Sequence, residues 1–168
     1  MIISAGITET YDWAIPVGIG FNAAIKLSEL IIKNNPKRII FVGSMGLYSK
    51  DYELFSIHKF NTASNVELSV LDDLTYSIIE QKIHEINSSN YICKNYELAQ
   101  RMHQKYGFIG ENMEVFAVFE TAKYHKIPAT AYLIATNYCD DKAHEEYLKN
   151  YKLANAKLED YLENIGIL

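Results

Sequence analysis

The sequence predicts an α/β fold of three layers, in which a mixed β-sheet is flanked by helices. An unbroken apolar run at residues 39–43 and a second, mostly apolar run at residues 130–136 are typical of strands that are covered on both faces. Elsewhere apolar residues recur three and four positions apart, which indicates helices with one buried face. Strand and helix patterns alternate through most of the chain, and this order favours a layered architecture. With 168 residues, the chain has the length of one domain, residues 1–168.

The composition is that of an ordinary globular protein, and it argues against several functional classes. Hydrophobic residues make up 49% of the chain and charged residues 22%. Because nucleic-acid binding requires a basic face, 21 acidic against 16 basic residues argue against it. No apolar run approaches the roughly 18 residues that span a bilayer, and the start lacks the basic flank of a signal peptide. We therefore expect a cytoplasmic protein with no nucleic-acid or membrane partner.

The first part of the chain contains three predicted strands and one helix. Residues 1–6 begin apolar and end small, as a buried strand does before a tight loop. Residues 13–20 alternate in hydropathy around a proline, which an edge strand tolerates. Residues 22–35 carry the helical spacing up to the next proline. The strand at residues 39–43 is predicted to end in the small loop at residues 43–46.

The middle third has weaker patterns. Residues 53–60 and 66–71 are predicted as strands, the second from its alternation of apolar and polar residues. An isoleucine stripe at residues 79–86 matches a helix without clear caps, and a partial strand is the alternative. Residues 91–93 are predicted as a short buried strand. A helix is predicted at residues 96–106, and a glycine ends it.

The last third places two polar residues where apolar ones predominate. The helix that begins with residues 113–119 is apolar there except at Glu114. Asn137 follows the apolar strand at residues 130–136, at the edge where ligands collect in open α/β sheets. Both residues also have a structural explanation, since an acid suits the first turn of a helix and asparagine caps turns. A final amphipathic helix is predicted at residues 142–164.

The sequence contains no motif that predicts a cofactor or a metal site. Residues 18–20 lack the third glycine of a dinucleotide fingerprint, and no lysine follows a glycine cluster. Residues 140–146 include acids and a histidine, but not with the H-E-x-x-H spacing. Cys93 and Cys139 are too far apart to predict a disulfide framework or a zinc motif, and we expect both as reduced thiols.

Three stretches resemble the nucleoside phosphorylase and nucleosidase superfamily, which cleaves the N-glycosidic bond of nucleosides. Residues 41–46 (FVGSMG) are similar to its G-S-x-G loop, and residues 112–114 (NME) to its M-E pair. Residues 135–137 (ATN) resemble the corresponding segment of purine nucleoside and methylthioadenosine phosphorylases. The resemblance implies a nucleoside phosphorylase-like fold and the homo-oligomeric assembly of the family.

The resemblance also implies which residues bind the sugar and its attacking partner. Glu114 is expected to bind the ribose hydroxyls, and Met113 to pack against the sugar. Ser44, with Gly43 before it, is expected beside phosphate or water. Glu9 is the candidate general base if water is the nucleophile.

At the base end, the resemblance assigns Asn137 to purine N7 and Tyr91 to the face of the base. Bond cleavage builds positive charge on the ribose and negative charge on the purine, so catalysis consists of stabilising that separation. An amide at Asn137 donates to N7 and reads the group at purine position six. In the family, asparagine at this position accompanies 6-oxopurines, which points to inosine or guanosine.

Two departures from the family leave the reaction open. Phe41 stands where hexameric phosphorylases carry an arginine, and the strand pair expected before residue 18 is missing. Phosphorolysis, with inorganic phosphate as co-substrate, is the first prediction because of Asn137. Hydrolysis of the methylthioadenosine/S-adenosylhomocysteine (MTA/SAH) nucleosidase type is the alternative. A nucleoside-binding relative without turnover is a further alternative.

Overall fold

A central parallel pair of long strands organises the structure. The computed structural model describes residues 1–74 and 83–168. Its strands are β1 (Ile2–Ser4), β2 (Ile15–Pro16), β3 (Ile39–Leu47), β4 (Ile57–Phe60), β5 (Ile86–Asn87), β6 (Gly110–Glu111) and β7 (Ala129–Tyr138). Its helices are α1 (Phe21–Asn34), α2 (Leu68–Leu71), α3 (Tyr96–Tyr106), α4 (Val115–Tyr124) and α5 (Ala143–Asn164).

The described strands form one mixed sheet of seven strands. β3 pairs in parallel with β1 on one side and with β7 on the other, and β2 continues the parallel part beyond β1. β4 runs antiparallel to β7, and β6 runs antiparallel to the end of β3. β5 pairs with β6. This arrangement confirms the predicted mixed sheet.

Two helical layers cover the sheet, because alternate side chains of its central strands point to opposite faces. Phe41 belongs to the apolar cluster under α1 and α4, whereas its neighbour Val42 belongs to the cluster under α5. Both central strands are thus covered on both faces, which explains their mostly apolar sequences. The three-layer prediction is confirmed.

The amphipathic helices follow their sequence patterns closely. The buried residues of α1 are those of the predicted stripe: Ala23, Leu27, Leu30 and Ile31. α3 begins where the Asn95 side chain accepts hydrogen bonds from the N–H groups of Glu97 and Leu98. It ends at Gly107, whose φ of 75° is the left-handed conformation that glycine adopts without strain.

Several predictions in the middle third are wrong. Residues 66–71 are not a strand, and α2 lies there instead. The Asn87 side chain bonds both the N–H of Val66, at 2.8 Å, and its carbonyl, at 3.1 Å, and so takes the place of a neighbouring strand. Of the strand predicted at residues 53–60, only β4 forms. Residues 91–93 are also no strand, because the N–H of Cys93 bonds a carboxylate rather than a strand partner.

The isoleucine stripe predicted at residues 79–86 lies only partly within the described residues. Residues 79–82 lie outside the described residues. Ile86 lies in β5, so the end of the stripe is a strand. No helix in the described ranges has the length and hydropathy that crossing a membrane requires.

Both central strands are longer than predicted. β3 continues through the small residues that were expected to end it, and its last two residues pair with β6. Gly110 is required there, since a Cβ on it would lie 2.1 Å from the Gly46 carbonyl oxygen. A register shift between Met45 and Gly46 marks the β3–β7 pairing, and Asn137 lies inside β7 rather than after it. The extensions bring Ser44 and Asn137 to the same end of the sheet.

Candidate active site

A cavity of about 380 Å³ opens at the carboxyl ends of β1, β3 and β7. The segment before α4 and the start of α5 close its sides. Five of the seven predicted site residues line it: Glu9, Ser44, Met113, Glu114 and Asn137. This position is the edge at which open α/β sheets collect ligands.

Glu9 is held over the end of β3 by a tight turn. The turn is closed by a hydrogen bond of 3.1 Å from the N–H of Glu9 to the carbonyl of Gly6, while Ser4 Oγ donates to the Glu9 carbonyl at 2.8 Å. Ile7, inside this turn, has a φ of 60°, which strains a β-branched residue. Strain of this kind persists only where the surrounding structure fixes it.

The carboxylate of Glu9 is buried and only half bonded. Its Oε1 accepts from the N–H of Ser44 at 2.9 Å and from the Ser44 hydroxyl. Among the described residues, Oε2 has no hydrogen-bond partner. Burial raises the pKa of Glu9 above its usual range, although the two bonds from Ser44 oppose this rise.

Gly43 makes room for that carboxylate. A Cβ on Gly43 would lie 2.8 Å from Glu9 Oε2, so only glycine lets the acid lie against the strand. Gly43 is not among the residues that line the cavity. The family resemblance implied that Gly43 lies beside the substrate. In the structure Gly43 lies against Glu9, on the side away from the cavity.

Glu114 occupies the position immediately before α4 rather than a position within the helix. Its Oε1 accepts from the N–H of Gly20 at 3.1 Å. Asn112 supplies the helix cap, because its Oδ1 accepts from the N–H groups of Glu114 and Val115 at 2.8 and 3.0 Å. Asn112 Nδ2 also bonds the Ser44 carbonyl at 3.0 Å, which ties this segment to β3.

The surroundings of Glu114 disfavour its ionised form. Only 4% of the residue is exposed. Burial, and next the negative charge of Glu9, raise the pKa of Glu114 to about 7. Two carboxyl groups therefore share one side of the cavity, where a cation would lower the energy of both.

Asn137 lies at the other end of the cavity, and its side chain is oriented by its neighbours. Its Oδ1 accepts from Thr136 Oγ1 at 2.9 Å, and its Nδ2 donates to the Tyr138 carbonyl at 3.1 Å. A terminal amide has two N–H donors, so one remains for a ligand.

Glu111 is a third buried acid of the cavity, and the sequence did not single it out. Its Oε1 accepts from the N–H of Cys93 and its Oε2 from the Tyr48 hydroxyl, both at 2.7 Å. Burial raises its pKa to about 7, although these two hydrogen bonds and a third from Cys139 oppose the rise. Cys139 contacts the same carboxyl group, so two free cysteines that are distant in sequence meet beside the cavity.

The structure does not bring Tyr91 to the cavity. Tyr91 packs against the apolar cluster of α3, and its neighbour Ile92 lines the cavity instead. Tyr147 of α5 is a lining residue that the sequence assigned only to the apolar stripe of that helix. Its hydroxyl hydrogen-bonds Thr8 next to Glu9.

Acidic side chains outnumber basic ones in the lining of the cavity, where His144 is the basic residue among the described ones. Neither lysine nor arginine occurs among the described residues that line it. Arg38 precedes β3 at the opposite end of that strand, and Arg101 on α3 forms a salt bridge of 2.8 Å with Asp72. The part of the chain that the structure describes contains no group of histidine, cysteine and acidic residues arranged to hold a metal ion.

Fold and site together define a three-layer α/β protein with an acidic cavity at the carboxyl ends of its central strands. No protein-family model matches the chain, and no curated protein matches its sequence. Solved structures match over nearly the whole fold. The 5'-methylthioadenosine/S-adenosyl homocysteine nucleosidase of Helicobacter pylori has a TM-score of 0.81 at 13% identity, over 97% of this chain and 95% of that one.

Two further structures give the same result. Futalosine hydrolase of Helicobacter pylori has a TM-score of 0.80 at 13% identity, over 96% of this chain and 94% of that one. The MTA/SAH nucleosidase of Streptococcus pneumoniae, in complex with 8-aminoadenine, has a TM-score of 0.79 at 12% identity, over 96% and 95%. The chain thus has the fold of the nucleosidases, as the sequence resemblance implied.

Proposed function

We propose that this chain hydrolyses the N-glycosidic bond of purine nucleosides. The observation that carries the proposal is the lining of the cavity, where the acids Glu9 and Glu114 are buried and the described residues include no lysine or arginine. Such a site repels a phosphate dianion and stabilises a ribosyl cation. The fold shared with MTA/SAH nucleosidases and futalosine hydrolase also supports hydrolysis.

Glu9 is the proposed general base. Ser44 fixes one of its oxygens, and the other, Oε2, is buried without a partner among the described residues. A water bound to the Glu9 carboxylate on the cavity side loses a proton to it as the water oxygen bonds the anomeric carbon. The raised pKa of Glu9 favours its acceptance of that proton.

Glu114 and Asn137 are the proposed sugar and base contacts. The Glu114 carboxylate stabilises the positive charge that develops on the ribose, and Met113 beside it packs against the sugar. Asn137 offers its remaining N–H to N7 of the purine. An amide is both donor and acceptor, and the family pattern of asparagine at this position favours a 6-oxopurine.

Phosphorolysis is the second candidate, because of the Asn137 motif. Without arginine, phosphate binding would depend on Ser44, backbone N–H groups or another subunit. The resemblance also predicts a homo-oligomer. Exposed apolar side chains on α1 and α4, Phe21, Ile25 and Tyr124 among them, are compatible with that prediction.

The two reactions are separated by their need for phosphate. The protein is incubated with inosine, guanosine, adenosine and 5'-methylthioadenosine, with and without phosphate, and free base and the sugar product are measured. We expect base release and a free sugar without phosphate, and inosine or guanosine as the better substrate. Release only with phosphate, with a sugar 1-phosphate as product, would support phosphorolysis. Binding without release of any base would support the non-catalytic relative.

Gly43→Ala tests the position of Glu9. Because the new Cβ would lie 2.8 Å from Glu9 Oε2, the carboxylate has to move away from its water. We expect at least about a tenfold loss of kcat in a base-release assay, since misplaced general bases lose much of their effect. In a Glu9→Gln background, Gly43→Ala should have little further effect on kcat. Additive losses would show that Gly43 acts through something other than Glu9.

A further inference from the structure

The base end of the cavity requires a proton donor that Asn137 does not provide. When the glycosidic bond breaks, its electron pair stays on the purine, and proton transfer to the purine lowers the barrier. A carboxamide donates a hydrogen bond but has no proton to transfer at neutral pH. The residue that reads the base in the proposed function is therefore not its acid.

Glu111 lies beside Asn137, on the same side of the cavity. A Cβ placed on Gly46 would lie 3.0 Å from Asn137 Nδ2 and 3.7 Å from Glu111 Cγ, so the two side chains flank one point. Both residues line the cavity, and both are 7% exposed. Glu9 and Glu114, by contrast, adjoin Ser44 and Gly20.

Hydrogen bonds hold the carboxyl group of Glu111 in place, and one of the donors is itself oriented by a further hydrogen bond. The Tyr48 hydroxyl accepts from Asn87 Nδ2 at 3.3 Å and donates to Glu111 Oε2 at 2.7 Å. The backbone N–H of Cys93 holds Oε1 at 2.7 Å. Cys139 also hydrogen-bonds this carboxyl group, so one of its four lone-pair positions remains, where a proton can reside and be passed on.

We propose that Glu111 is the catalytic acid that protonates the departing purine. The inference rests on the proposed hydrolysis. In the step, the bond between the anomeric carbon and N9 breaks and its electron pair remains on the purine, which takes the proton of Glu111 at a ring nitrogen. Water supplies the oxygen that bonds the anomeric carbon, and its proton goes to Glu9. Glu9 then loses this proton to solvent and Glu111 regains one, so the cycle is balanced.

The ionisation of the cluster agrees with this role. Burial raises the pKa of Glu111 to about 7, so its protonated form is well populated at neutral pH. The titratable groups that face it are Tyr48, Tyr91, Cys93 and Cys139. Burial raises the pKa values of both tyrosines and of Cys139, whereas hydrogen bonding, chiefly with Cys139, lowers the pKa of Cys93 below its usual thiol value.

The test compares two leaving groups in Glu111→Gln. Inosine represents a base that needs a proton, and 4-nitrophenyl β-D-ribofuranoside has a phenolate that departs without one. We expect kcat for inosine to fall about 100-fold or more, and kcat for the nitrophenyl riboside to stay within about threefold of wild type. With inosine, wild-type activity should fall as pH rises above about 7, and this loss should be absent with the nitrophenyl riboside.

Glu111→Asp is the second variant, and it retains the acid at a greater distance from the base. We expect an intermediate loss with inosine and no loss with the nitrophenyl riboside, which keeps the test decisive if Glu111→Gln does not fold. Equal losses on both substrates, or full activity of a folded Glu111→Gln with inosine, would overturn the assignment while hydrolysis stands. A wild-type protein that cleaves neither substrate would overturn the hydrolysis itself, and the assignment with it.

Discussion

Glu114→Gln is expected to lower kcat for a purine nucleoside by about two to three orders of magnitude. The carboxylate is 4% exposed and lines the cavity, so its charge acts on the sugar with little screening by water. Losing one preorganised electrostatic partner of a transition state commonly has an effect of about 10²–10³ in kcat. Glutamine keeps the shape and an oxygen for the N–H of Gly20. Steady-state rates of base release measure the effect.

The fold should not be weakened by this substitution. At pH 6, below the raised pKa of Glu114, the side chain is mostly neutral already, so we expect a nearly unchanged melting temperature. Glu120→Gln is the matched control, because Glu120 lies on the exposed side of the same helix and pairs with Lys123 at 3.1 Å. It should change neither rate nor stability. Loss of stability in Glu114→Gln with intact turnover would show that the acid is structural.

The free energy of unfolding is expected to fall as pH rises from about 5 to 8. Glu111 and Glu114 have pKa values of about 7 in the folded chain against 4.5 for the unperturbed group. Between these values the folded state binds more protons than the unfolded state, so stability decreases with pH. Each raised pKa corresponds to a destabilisation on the order of 3 kcal/mol above pH 7.

Urea unfolding at pH 5, 6, 7 and 8 measures this dependence. The double variant Glu111→Gln/Glu114→Gln should show a much smaller decrease over the same range, and it should be more stable than wild type at pH 8. Glu120→Gln should retain the wild-type slope, since its side chain is exposed. Parallel slopes for wild type and the double variant would contradict the raised pKa values.

The sequence predicted those helices and strands in which buried residues recur at a regular spacing along the chain. The stripe of α1 and the apolar runs of β3 and β7 report burial directly, because one buried face or two buried faces leave a regular pattern. The strand predictions for the segments with weak sequence patterns were wrong, and the reason is also physical. At residues 66–71 and 91–93 the backbone bonds the side chains of Asn87 and Glu111, and such distant partners leave no local pattern.

The site was predicted to the extent that it resembles a family motif. Glu114, Asn137, Ser44 and Glu9 could be named from their sequence neighbours, and all four lie around one cavity. Tyr91 was assigned to the base, but its ring packs against the α3 cluster. A motif match fixes a position along the backbone, whereas the direction of a side chain depends on what is packed around it.

The sequence by itself thus determined the layered fold and the order of its main elements, and it named five residues that line the cavity. The tertiary structure decided the charge of that cavity. Glu111 and its thiol neighbour Cys139 are far apart in the chain and meet because β6 and β7 both pair with the end of β3. Electrostatic potential depends on distances in space, so a group of buried acids, with no lysine or arginine among the described lining residues, emerges only when the chain is folded.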